Sequence, residues 1–115
     1  MPPTRQSTAK LPLAPAVYHV LLSLAQGEAH GYRIRTAVRE QSDGAIDLDP
    51  GSLYRLIARL WDDGLIEEAA SKSDHPRMRL YRLTAEGRRV FKAETQRMTA
   101  LVSLARSTAR RSGHA

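Results

Sequence analysis

The chain has 115 residues and reads as a single domain, large enough for a small core but burying little surface per residue. Eighteen Lys and Arg against twelve Asp and Glu leave a net charge of +6, which favours polyanionic partners. The lack of Cys excludes disulfides, thiolate nucleophiles and cysteine-ligated zinc or iron–sulfur sites, and fits a reducing cytoplasm.

No apolar run approaches the roughly 20 residues that span a bilayer. The start Met1–Lys10 lacks the apolar region of a secretory signal. A soluble cytoplasmic protein without a membrane partner is the expectation. Residues 1–12 are polar, carry Pro2, Pro3 and Pro12, and read as a flexible arm.

The first helix is expected to begin near Pro15, where a missing N–H costs nothing, and to place Val17, Val20, Leu21 and Leu24 on one face before Gly27 stops it. A second runs from Gly31 to Gln41, with Ile34, Ala37 and Val38 inward and Arg33, Arg35, Arg39 and Glu40 outward. Alternation of Ile46 and Leu48 with Asp47 and Asp49 suggests a short strand over 45–48.

Asp49 is a good N-cap for the third helix, since its carboxylate can accept from the backbone N–H of Gly51 or Ser52, and Pro50 occupies the first helical position. Leu53, Leu56, Ile57 and Leu60 form the buried stripe of this helix, and Asp62-Asp63-Gly64 closes it. Trp61 adjoins that stripe as a packing residue. Residues 65–69 and 78–83 read as two strands joined by a polar loop containing Pro76.

Thr84 caps a last helix reaching about Arg106, in which Val90, Phe91, Met98, Leu101, Val102 and Ala105 recur at three- and four-residue steps. At 1.5 Å per residue such a helix is about 33 Å long, more than a domain this small can cover. These six residues are therefore assigned to a dimer interface. Residues 107–115 lack periodicity and are expected to be a disordered tail.

Helix, helix, strand, helix, strand, strand, helix is the order of a winged helix-turn-helix. The fold class is mainly α with a small β-wing, ending in a long C-terminal dimerisation helix. Residues 13–84 form the DNA-binding domain and 85–106 the dimerisation helix. The third helix is the groove element: Gly51 lets backbone approach closely, Ser52 offers a hydroxyl, and Tyr54, Arg55 and Arg59 reach phosphate or base edges. The wing adds Lys72, Pro76, Arg77 and Arg79, with Pro76 stiffening the turn. Tyr32, after His30-Gly31 at the start of the second helix, is either a phosphate contact or an edge of the core.

His19, His30, His75 and His114 lack the paired spacing of a metal site, and no cofactor is expected. No Ser, His and Asp set with motif support and no glycine-rich phosphate loop is present, so an enzyme is not expected. The rival reading keeps the fold as a protein-interaction module, its long apolar helix recruiting a partner and its DNA binding lost.

Several motifs together resemble the PadR family of bacterial transcription regulators over about residues 11–106. They are Leu21-Leu22-Ser23-Leu24 leading to His30-Gly31-Tyr32-Arg33-Ile34, then Pro50-Gly51-Ser52-Leu53-Tyr54, Arg59-Leu60 with Gly64-Leu65-Ile66, and Tyr81-Arg82-Leu83-Thr84 with Gly87. The resemblance implies a homodimer on a palindromic DNA operator, usually repressing, with Tyr32, Gly51, Ser52, Tyr54, Pro76 and Arg77 at the DNA surface. The family's wing often reads Gly-Arg-Pro-Arg/Lys, whereas this chain has Asp74-His75-Pro76-Arg77-Met78-Arg79, which removes or displaces one basic contact. The chain looks like the short subgroup without a larger C-terminal effector domain. Some short members bind flat aromatic ligands against a Trp of the last helix; none stands there in this chain, and no effector class is assigned.

Overall fold

The computed structural model describes residues 10–69 and 78–112. Its elements are α1 (Pro15–Ala25), β1 (Ala29–His30), α2 (Gly31–Gln41), α3 (Pro50–Asp62), β2 (Ile66–Glu68), β3 (Leu80–Leu83) and α4 (Ala85–Arg111). This is a mainly helical winged helix-turn-helix followed by a long C-terminal helix. Among the described residues no helix is long and apolar enough to cross a membrane.

The helical apolar periodicities converge on one core: Val20, Leu21 and Leu24 of α1, Ile34 and Val38 of α2, and Leu53, Ile57 and Leu60 of α3. Ile66, Tyr81 and Leu83 close it from the sheet, Leu65 from the turn before β2 and Val90 from α4, while Val17 and Leu56 lie at its margin. Asp49 caps α3 by accepting from the Ser52 N–H at 2.7 Å. Thr84 caps α4, its hydroxyl accepting from the Gly87 N–H at 2.9 Å.

The sheet has three antiparallel strands in the order β1-β3-β2. Its outer strand β1 is the two-residue segment Ala29–His30, paired with Tyr81 and Leu80. The strand expected over 45–48 does not form. Local bonds replace a ladder there: the Ala45 N–H donates to the Ser42 carbonyl at 3.0 Å, the Ile46 N–H donates to Ser42 Oγ at 2.9 Å, and Arg35 Nε donates to the Leu48 carbonyl.

The last helix continues past the expected end at Arg106 to Arg111, so residues 107–111 are helical and not part of a tail. Ser107-Thr108-Ala109-Arg110-Arg111 holds no Pro or Gly, and Arg110 and Arg111 in the last turn complement the negative end of the helix dipole. Helix propensity extends α4 where apolar periodicity has ended. Two contacts hold its first half on α1: the rings of Tyr18 and Phe91 stack at 5.4 Å, and the hydroxyls of Tyr18 and Thr95 lie 2.9 Å apart.

Candidate nucleic-acid interface

The uncovered face of α3 includes Gly51, Arg55, Ala58, Arg59 and Asp62, with exposed Pro50 at its start and Trp61 on its flank, opposite the buried Leu53, Ile57 and Leu60. Arg55 lies at the centre of this face and Arg59 one turn further on. At the start of the helix the Asp49 carboxylate takes both donors of Ser52, the backbone N–H at 2.7 Å and the hydroxyl at 3.2 Å. Arg55 reaches back along the helix and donates from Nη2 to Ser52 Oγ at 3.2 Å. Its guanidinium passes over Gly51, where a Cβ would stand 3.3 Å from both Arg55 Nη1 and Asp49 Oδ1.

The Ser52 N–H and then its hydroxyl hold the Asp49 carboxyl below its ordinary pKa, with Arg55 adding attraction. The start of α3 is consequently no free phosphate pocket, because a carboxylate already occupies the Ser52 N–H.

Tyr32 is 74% exposed on α2 and shares a recess of about 300 Å³ with Arg35, Pro50, Leu53 and Tyr54, which places it beside the start of α3. Tyr54 itself is half-buried, its hydroxyl over Gly31 of α2. Arg59 shares a hollow with Lys10 and Pro12, at the root of the N-terminal segment.

Arg79, expected at the DNA surface with the wing, is half-buried. Its guanidinium carbon lies 5.9 Å above the Trp61 ring, its Nε is buried with no hydrogen-bond partner among the described residues, and its carbonyl lies 3.0 Å from His30 Nδ1. Trp61, in turn, meets Tyr81 edge to face at 6.1 Å, and burial raises the Tyr81 pKa. The aromatic flank of α3 has drawn the Arg79 side chain toward itself. Lys72, Pro76 and Arg77 lie outside the described residues.

The six residues expected at a dimer seam divide into two groups. Val90 is 3% exposed within its own chain's core and has no surface left to offer a partner, and Phe91 is half-buried against Tyr18. The heptad-like recurrence merges two successive roles, because α4 covers its own domain first. Met98 is half-buried, whereas Leu101, Val102 and Ala105 are exposed. Leu104, absent from the sequence reading, joins them at 58% exposure. Tyr18, Thr95, Met98, Val102 and Arg106 line a groove of about 510 Å³ along this helix.

Sequence reasoning also passed over Glu94, only 1% exposed, which accepts from the Leu13 N–H at 2.7 Å and pairs with Arg97. Its spacing to Arg97 was a visible signal, although exposed helix pairs carry the same spacing.

The family model described as the transcriptional regulator PadR-like family matches residues 20–93, more than half of the chain. The chain belongs to the PadR-like family. The matched span runs from within α1 into α4 and contains the whole of α2 and α3 and both strands of the wing, β2 and β3. Among solved structures, the PadR-like fold recurs in a PadR family transcription regulator from Clostridium difficile R20291, with TM-score 0.68 and 23% identity over 83% of this chain and 98% of that one. A PadR-like transcriptional regulator from Bacillus cereus gives TM-score 0.65 and 22% identity, over 80% and 88% of the two chains. A curated relative, an uncharacterized 37.1 kDa protein in transposon TN4556 of Streptomyces fradiae, is 38% identical over 82 residues, which make up 71% of this chain. The chain spans 22% of that relative's length.

Proposed function

We propose that this PadR-like chain is a cytoplasmic DNA-binding transcriptional regulator that acts as a homodimeric repressor on a palindromic operator. One observation carries the reading: a small chain leaves uncovered both a basic face on α3, with Arg55 and Arg59, and an apolar stripe on α4, with Leu101, Val102 and Leu104. The first suits a polyanion and the second a protein surface. A second copy joined through α4 sets two α3 helices at a fixed spacing, as a palindromic site requires.

In this reading Gly51, Arg55 and Arg59 face the DNA, with Tyr32 beside them. Ser52 and Tyr54 shape the reading helix, and Lys72, Pro76 and Arg77 supply the wing contact. Arg79 contributes by seating the wing strand on Trp61.

A gel-shift titration of the DNA upstream of the chain's own gene, at two salt concentrations and with unrelated DNA as competitor, tests this. Specific binding that weakens with salt is expected, and Arg77→Ala should lower the salt slope by about 1. Absence of any shift together with a monomer at micromolar concentration would favour a protein-interaction module instead.

A further inference from the structure

We propose that Arg55 reads a guanine edge in the major groove and that Asp49 and Ser52 are positioning residues that hold it ready, an inference that rests on the DNA-binding reading above. Three hydrogen bonds run in one direction. Arg55 Nη2 donates to Ser52 Oγ at 3.2 Å, the Ser52 hydroxyl donates to Asp49 Oδ2 at 3.2 Å, and the Ser52 N–H donates to Asp49 Oδ1 at 2.7 Å. Both donors of Ser52 are thus spent on the carboxylate, so Ser52 acts through Arg55 and not as a donor to a base.

A guanidinium has five N–H donors in a planar fork. Ser52 takes one from Arg55, and the remaining donors of the fork suffice for a bidentate pair to the O6 and N7 acceptors of guanine. Gly51 leaves room for the arrangement: a Cβ there would stand 3.3 Å from both Arg55 Nη1 and Asp49 Oδ1, and the two side chains would have to give way slightly.

The Asp49 charge has a second effect. Standing at the first turn, it opposes a DNA phosphate at the free N–H groups there, where an uncapped helix would attract one whatever the sequence. The same carboxylate that orients Arg55 toward a base therefore weakens indiscriminate backbone binding. An arginine already held in one conformation also loses less side-chain freedom on binding.

The test is selection from a randomised duplex library by the full chain and by Arg55→Ala, Arg55→Lys, Ser52→Ala and Asp49→Asn. Affinities for the best selected duplex and for mixed-sequence DNA are then measured. Wild type should require guanine at one position of each half-site, and both Arg55 variants should lose that preference by about tenfold or more, since an ammonium cannot make the bidentate contact. Asp49→Asn keeps a side chain suited to the N-cap and should retain the fold. It should nevertheless bind mixed-sequence DNA more tightly and lower the ratio of specific to non-specific affinity, and Ser52→Ala should weaken the guanine preference.

Uniform weakening of Arg55→Ala on every sequence would show a backbone contact and overturn the proposal. An unchanged guanine preference and specificity ratio in both Asp49→Asn and Ser52→Ala would overturn the positioning role. Wild type that enriches no duplex at all would instead remove the DNA-binding reading on which the inference stands.

Discussion

The hydroxyl of Tyr54 lies over Gly31, 2.5 Å from the point a Cβ on that residue would occupy. The ring of α3 thereby rests on bare backbone at the first residue of α2, and the two helices of the reader approach as closely as a glycine allows. Two motifs far apart in the chain, His30-Gly31-Tyr32 and Ser52-Leu53-Tyr54, are halves of one contact.

Gly31→Ala should therefore destabilise the fold by about 1–3 kcal/mol, the usual cost of overpacking, although alanine is the better helix former. Urea denaturation checks the magnitude. Tyr54→Phe in the same background removes the clashing oxygen and should recover part of the loss, whereas two independent sites would give additive effects.

A harsher contact is expected at Gly87. A Cβ there would run into the carbonyl of Leu65, which also accepts the Thr84 N–H at 3.1 Å. Backbone cannot turn aside as a tyrosine ring can, so Gly87→Ala should cost more than Gly31→Ala and lower the melting temperature further. A cost no larger than that of Gly31→Ala, measured by the same denaturation, would contradict this packing.

Much of this arrangement was legible from residue types. The limits of α2 and the Asp49 cap of α3 followed from glycine, proline and apolar spacing, because these elements are specified locally. The strand β1 was not legible, since two residues carry no periodicity and only pairing with Tyr81 and Leu80 makes them a strand. Ile46 and Leu48 alternate as a strand would, yet Ser42 and Arg35 satisfy their backbone. The contact of Arg79 with Trp61 was not legible, because the two stand eighteen positions apart in sequence and meet only through the fold. Val90 shared its spacing with the outer stripe of α4, and spacing alone does not tell a chain's own core from a partner's.

Acid should expose the tie between the N-terminal segment and α4. Hydrogen bonding from Arg97 holds the Glu94 carboxyl below its ordinary pKa of 4.5, burial opposes this, and the Leu13 N–H reinforces it. A carboxylate with a depressed folded pKa contributes stability that is fully present above its unfolded pKa and is lost as pH falls through the folded value. Glu94→Gln should accordingly melt below wild type at neutral pH, and the gap should begin to narrow near 4.5 and close in stronger acid. A gap that stays constant well below 4.5 would mean that the Glu94 charge is not what matters.

Substitution on the outer half of α4 should separate assembly from folding. Leu101 and Leu104 are 54% and 58% exposed in the single chain, so exchanging both for Asp removes little of the core. The doubly substituted chain should keep its helical circular dichroism and sediment as a monomer at concentrations where wild type is a dimer. An unchanged wild-type dimer would place the interface elsewhere.

The proposed reader works in two copies. The most direct measurement is the mass of the complex between the chain and the shortest duplex that retains its specific binding, taken at saturation. Two chains per duplex are predicted, falling apart together with DNA binding in the Leu101→Asp, Leu104→Asp variant. One chain per duplex at saturation, with affinity unaffected by those substitutions, would contradict it.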